Sequence, residues 1–149
     1  MNVIEYCTEE VERQGHDTSK LDGIQRVGWM LEAWSYAFQM SENSLLIGDI
    51  WTIGKMIEPA KNDGFRTTQV WVGDVECPPA DEVPPLMENL FRHKAALNPF
   101  KFYRALLEIH PFVDGNGRTG KVVLNWLNKS LLEPVFPPDD FWGFPVRNP

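Results

Sequence analysis

The stretch Glu108–Leu127, EIHPFVDGNGRTGKVVLNWL, places one histidine, one acid, one asparagine, three glycines and two cations within the twelve residues from His110 to Lys121. It is flanked by two helical patterns. Pro99 suits the first position of a helix running to Ile109, and after the loop Val122, Leu124, Leu127 and Leu131 recur at helical spacing. A loop between two helices that carries so many special residues points to a site.

The chemistry of the loop follows from its parts. Gly115, Asn116 and Gly117 form a turn immediately before a helix, so several backbone N–H groups converge as an anion nest, reinforced by the helix N-terminus. Arg118 and Lys121 lie three apart on the first turn and share a face beside it. Asp114 suits a divalent cation that bridges two phosphates. His110 is a candidate general base at the other end of the loop, and Phe112 is a core anchor. Together these groups describe a site that grips a nucleoside polyphosphate and deprotonates an attacking hydroxyl.

Two other readings of the loop fail. GNGRTGKV matches the phosphate-binding P-loop pattern through its Gly-Lys, but Val122 stands where the magnesium-binding hydroxyl belongs, and a helix precedes it instead of a buried strand. A calcium loop beginning at Asp114 would put Thr119 at the obligatory glycine and Asn125 at the bidentate glutamate.

Working outward, Leu21, Ile24, Val27, Leu31, Trp34 and Phe38 recur at spacings of three and four, which predicts an amphipathic helix over 19–40. Asn43 and Ser44 are candidate caps for a second helix through Leu46, Ile50, Ile53 and Ile57, stopping near Pro59. Val70, Val72 and Val75 around Gly73-Asp74 predict a short hairpin closed by Pro78-Pro79. Helices are expected again over Val83–Leu97 and Pro99–Ile109. The tail EPVFPPDDFWGFPVRNP is proline-rich and irregular, with Phe136, Phe141, Trp142 and Phe144 expected to pin it to the body. The fold class is therefore all-α with one small β-hairpin, in a single domain over 1–149: N-terminal helices over 1–44, a core near 45–132 and the tail 133–149.

A net charge of −7 excludes a sequence-independent nucleic-acid binder, which needs a Lys/Arg surplus. No apolar run approaches the roughly 18 residues of a membrane span. The start, MNVIEYCTEEVERQ, carries acids where a signal peptide carries cations. Cys7 and Cys77 form neither a metal nor a redox spacing. The expected compartment is the cytoplasm, with neither nucleic acid nor membrane as partner.

HPFVDGNGRTGK resembles the Fic signature, HxFx(D/E)GNGRxxR, through His110, Phe112, Asp114, Gly115, Asn116, Gly117 and Arg118. GFR (Gly64–Arg66), the hairpin and NPFKFYRALLEIHPF are similar to the Fic core in order and spacing, so the resemblance covers about 45–132. The Doc branch, which phosphorylates its target, carries Lys in place of the second glycine, and Gly117 favours nucleotidyl transfer. The resemblance implies a protein adenylyltransferase that moves AMP from ATP to a Ser, Thr or Tyr hydroxyl of a target protein, with release of pyrophosphate. His110 would be the base and Asp114 the Mg²⁺ ligand. Gly115, Asn116, Gly117, Arg118 and Lys121 would hold the nucleotide, and the hairpin (Val70, Trp71, Val72, Gly73, Asp74, Val75) would clamp the target by strand addition.

The chain departs from the pattern at Lys121, where the family has its second Arg. Lysine keeps the charge and loses the bidentate fork. That leaves two alternatives: transfer of a different nucleotide, or a Fic fold that binds nucleotide or a partner with little transfer. Many Fic proteins also carry an inhibitory helix, (S/T)xxxE(G/N), whose Glu pairs with the second Arg. TSKLDGI resembles it through Thr18, Asp22 and Gly23, which implies an Asp22–Lys121 pair. Without an internal brake, restraint would come from an antitoxin-like partner or from self-association, as in a toxin.

Overall fold

Residues 1–138 are described by the computed structural model, and in them six helices and one hairpin follow one another along the chain. Helices α1 (Val3–Arg13), α2 (Leu21–Met40) and α3 (Ile47–Ile57) come first. The strands β1 (Trp71–Val72) and β2 (Val75–Glu76) follow, then α4 (Val83–Arg92), α5 (Pro99–Ile109) and α6 (Asn116–Leu127). The all-α class with one hairpin holds. The hairpin pairs Trp71 with Glu76 and Val72 with Val75 around Gly73, which lies in the left-handed region at φ 61°.

Helix α6 is the axis of the fold. Every residue from Asn116 to Trp126 except Gly117 is buried, as expected of a helix enclosed on all sides. Helices α5, α3 and α2 pack around it, and α1 reaches it through polar contacts described below. Close approach is built in at glycines: a Cβ on Gly54 of α3 would fall 2.1 Å from the Phe112 ring, and one on Gly120 would fall 2.8 Å from Tyr103 of α5. Phe112 is fully buried, as expected of a core anchor.

Several boundaries differ from the expectation, each for a local reason. Helix α2 begins at Leu21 with Lys20 at the N-cap and no side-chain cap, because the Asp17 carboxylate accepts from Ser19 N and Oγ instead. Its inner face is Gly23, Arg26, Met30, Ala33, Trp34 and Ala37, so Leu21, Ile24 and Phe38 stand exposed. The polar Arg26 turns inward because Glu58 receives it, and that partner was invisible to periodicity. Helix α3 is not capped by Asn43 or Ser44; Asp49 Oδ2 accepts from Leu46 N at 2.8 Å. Helix α4 stops at Arg92 rather than Leu97, with a single 3-10 turn over 94–96 beyond it. Helix α6 stops at Leu127, and Leu131 lies past its end with its carbonyl accepting from Trp34 Nε1 at 2.9 Å.

The segment after α6 is tied down by polar and aromatic contacts. Phe136 stacks on Tyr6 at 4.0 Å, and the Tyr6 hydroxyl donates to Val135 O at 2.7 Å. Phe141, Trp142 and Phe144 lie outside the described residues. Both cysteines are buried and free. No helix among the described residues is long and apolar enough to cross a membrane.

Candidate active site

Helix α5 ends at His110, a non-glycine residue in the left-handed region at φ 53°, ψ 63°. Such a conformation costs of order 1–3 kcal/mol and persists only where surrounding contacts over-determine it. Here they do. His110 N donates to Leu106 O at 3.0 Å, and Arg66 Nε donates to His110 O at 2.6 Å. The imidazole Nδ1 donates to Leu107 O at 3.3 Å, which fixes the tautomer and leaves Nε2 as the basic nitrogen. Burial lowers the His110 pKa below its ordinary value; the Leu107 contact and Asp114 oppose that, and Arg66 adds to it. The ring is therefore neutral at physiological pH, the state a base needs.

The loop is held from within and from the side. Asn116 Oδ1 accepts from Phe112 N and its Nδ2 donates to Phe112 O, both at 2.9 Å. Its side chain thus closes the turn and is committed to the backbone of Phe112. Gly115 takes φ 74°, and a Cβ there would meet Ile57 at 2.5 Å; only glycine fits. Asp114 Oδ1 accepts from Gly115 N at 2.7 Å, and Oδ2 accepts from Lys61 Nζ at 2.8 Å. Burial pushes the Asp114 carboxyl up, but Lys61, Gly115 N–H and Arg118 outweigh it and hold it below the ordinary value, ionised.

The turn 58–62 after α3 forms the side wall, and the sequence pattern did not single it out. Asn62, buried, accepts from Asp114 N at 3.2 Å and donates to Asp114 O at 2.8 Å. Glu58, 1% exposed, accepts from Arg118 Nη2 at 3.0 Å and from Arg26 Nε at 2.7 Å. Arg118 is equally buried, and its Nε and Nη1 have no hydrogen-bond partner among the described residues. Buried N–H groups of a guanidinium left unpaired are costly, and an anion at the N-terminus of α6 would satisfy them. The first N–H groups of that helix have no intrahelical acceptor either.

Lys121 lies elsewhere than expected. It does not stand open beside the nest but is 1% exposed, with Nζ 2.9 Å from Glu10 Oε2 on α1 and 5.2 Å from the Tyr103 ring centroid. Burial lowers its pKa, yet Glu10 and Tyr103 outweigh that and raise it above the ordinary value. Gln14, at the end of α1, donates to the same Glu10 oxygen at 2.9 Å and sits where a Cβ on Gly117 would fall 2.8 Å from it. The Asp22–Lys121 pair is overturned by this arrangement. Asp22 is two-thirds exposed and pairs with Arg26 and, at 3.4 Å, with His16. Thr18 donates to Glu12 at 2.5 Å, and Gly23 packs against the Asp17 carbonyl.

The hairpin presents Trp71 at its surface, 57% exposed. Among the described residues the sheet has two strands, and each keeps an unpaired edge there.

Comparison with known proteins adds the following. A family model described as the Fic/DOC family matches residues 43–128. The chain is 34% identical over 91 positions to a protein named Protein adenylyltransferase Fic of Drosophila melanogaster, covering 55% of this chain and 18% of that one. The protein of the same name in Drosophila persimilis is 33% identical over 91 positions, covering 55% and 17%. The chain thus spans less than a fifth of these relatives' length. Among solved structures, Fic-1 from C. elegans superposes with a TM-score of 0.65 at 22% identity, covering 86% of this chain and 44% of that one. A Fic family protein from Desulfovibrio desulfuricans gives 0.63 at 21%, covering 85% and 45%. At that identity the likeness shows the fold.

Proposed function

The chain belongs to the Fic/DOC family, and on that premise we propose that it is a protein adenylyltransferase, moving AMP from ATP to a Ser, Thr or Tyr hydroxyl of a target protein. The observation that carries this reading is the pairing of two groups on one loop. A neutral imidazole is held in a strained turn with Nε2 as its base, and a buried guanidinium at the start of α6 has two N–H-bearing nitrogens with no partner among the described residues.

In this reading His110 Nε2 takes the proton of the target hydroxyl. The oxygen attacks the α-phosphorus, the bond from that phosphorus to the bridging oxygen breaks, and pyrophosphate leaves. The N–H groups of Asn116 and Gly117 and the Arg118 Nε and Nη1 receive phosphate oxygens, so charge is met by donors already in place. Glu58 keeps Arg118 oriented from behind. The hairpin Val70–Val75 adds a strand of the target along its edge.

Asp114 fits a magnesium ion: it is an ionised, one-third exposed carboxylate, and Mg²⁺ is commonly held by one or two carboxylates plus substrate phosphates. Among the described residues no group of three such ligands gathers. Asp114 would hold the ion beside Lys61, and the ion would supply positive charge to the nucleotide phosphates.

A second reading, nucleotide binding with little transfer, is favoured by Lys121. Its ammonium is committed to Glu10, so in this arrangement the outer phosphates rely on Arg118. Restraint, where it exists, comes from α1 through Glu10 and Gln14 and not from Thr18, Asp22 and Gly23. A cytoplasmic setting, an antitoxin-like inhibitor and self-association belong to the same reading.

The test is intact mass of the protein and of candidate targets after incubation with Mg²⁺ and each nucleoside triphosphate, for the parent and for His110→Ala. Addition of AMP by the parent, reduced about 10²- to 10⁴-fold in the variant, supports transfer. Nucleotide binding by both proteins with no mass change in either leaves the binding module.

A further inference from the structure

Arg66 is 3% exposed, a burial that arginine tolerates only when its donors are satisfied. Its partners are backbone carbonyls from three places. Nε donates to His110 O at 2.6 Å and Nη2 to Ile109 O at 3.3 Å, both at the C-terminal end of α5. Nη1 donates to Thr68 O at 3.1 Å and Nη2 also to Pro78 O at 2.7 Å, one on each side of the hairpin. Arg66 N itself donates to Pro111 O at 2.8 Å. The last carbonyls of a helix carry partial negative charge, which a guanidinium meets well.

We propose that Arg66 is a positioning residue, which locks the turn bearing His110 and both roots of the 71–76 hairpin into a single register. The proposal rests on His110 being the base and the hairpin being the target clamp. Each function needs the other. A strand added to the hairpin presents its hydroxyl at a fixed height, and His110 must stand at that height to take the proton. A planar fork with five N–H groups can bridge carbonyls on opposite sides. The hairpin's own ladder is two residues per strand, too short to fix its orientation on the body. Gln69 Nε2, donating to Cys77 O at 2.7 Å, closes the hairpin upon itself without joining it to α5. His110 cannot be held by α5 alone either, since its left-handed backbone leaves the helix there.

The nucleotide side of the site has supports of its own that Arg66 does not touch: Glu58 holds Arg118, and Asn62 holds Asp114. Arg66→Lys keeps a charge and loses the fork; Arg66→Gln loses both. For each variant, ATP affinity by calorimetry, transfer kcat, and amide hydrogen exchange over 69–77 and 109–112 are measured. ATP affinity is expected to stay at the parent value and kcat to fall about 10²-fold, the effect of misplacing a reacting group by about 1 Å. Both segments should lose protection together. If Arg66→Gln does not fold, Arg66→Lys is read in the same way. Unchanged kcat, or loss of protection in one segment only, overturns the proposal. So does a fall in ATP affinity that matches the fall in kcat, since that marks general damage. If the parent transfers nothing, the adenylyltransferase reading fails while the exchange of the two segments still decides whether Arg66 ties them.

Discussion

Replacing Glu10 with leucine should destabilise the protein severely, and replacing Glu10 and Lys121 together should not. The ion pair has Nζ and Oε2 at 2.9 Å, with the two side chains 2% and 0% exposed. Breaking such a pair by removing one partner typically costs about 3–5 kcal/mol, because a charge is left in the interior. Gln14, which also donates to Glu10, cannot stand in for the carboxylate. Burial disfavours the Lys121 charge, and without Glu10 the opposing rise would lose its largest source. The pair itself contributes little over an apolar filling: Glu10 Oε1 already lacks a partner among the described residues. Glu10→Leu with Lys121→Met should therefore be neutral or more stable by about 1–4 kcal/mol. For a domain of this size each kcal/mol moves Tm by about 2–4 °C. The single variants should melt roughly 6–20 °C lower, and the double variant at or above the parent. The pH dependence has a definite sign. The folded pKa of Lys121 lies above its ordinary 10.5, so its stabilisation is complete below that pH and is lost as pH rises further. Urea and thermal unfolding of the four proteins give the coupling. Single losses under about 1 kcal/mol, or losses that simply add, would refute a dry, paired Lys121. Asp22→Ala, at the position the sequence pattern favoured, should leave the melting temperature unmoved.

Glu58→Gln should cost about 3–5 kcal/mol by leaving Arg26 and Arg118 without their shared carboxylate, and calorimetry should show weaker ATP binding as Arg118 reorients. Gly115→Ala should cost about 1–3 kcal/mol from the 2.5 Å clash with Ile57, with further left-handed strain, and remove ATP binding; an unfolding curve like the parent's would count against the tight fit. Burial, aided by Arg66, keeps the His110 pKa below 6.5, so the acid limb of kcat/KM should fall below that pH. Because the unfolded chain binds that proton more readily, stability should decline as pH drops from 6.5 towards the folded value, which urea titrations across that range would show.

The loop between α5 and α6 was legible in the sequence as a candidate site because its parts are local. His110, Asp114, the glycine turn and Arg118 come together there through residue type and spacing. The hairpin and the all-helical class were legible for the same reason, through Gly73-Asp74 and the periodic apolar residues. What failed depends on partners distant along the chain. Arg26 turns inward because Glu58, 32 residues on, receives it, and this rotates α2 so that Leu21, Ile24 and Phe38 face outward. Lys121 is paired with Glu10, 111 residues away, and no short pattern marks Glu10 as its partner. The side chain of Asn116 could not be placed from type alone, since an amide serves a phosphate or a backbone equally well. The segment 58–62 carries no motif, yet it supplies three of the site's supports.

The packing of α1 has a consequence for when the site comes into being. Tyr6 reaches Val135 across 129 residues, and Glu10 reaches Lys121 across 111. On a ribosome adding about 5–20 residues per second, Glu10 waits roughly 5–20 s before its lysine exists. During that interval α1 has α2 to lean on but nothing to neutralise its inward acid. The contacts that enclose Lys121 thus form only after α6 has left the exit tunnel. A nascent chain carries His110 and the whole of the loop before α1 can close against Gly117.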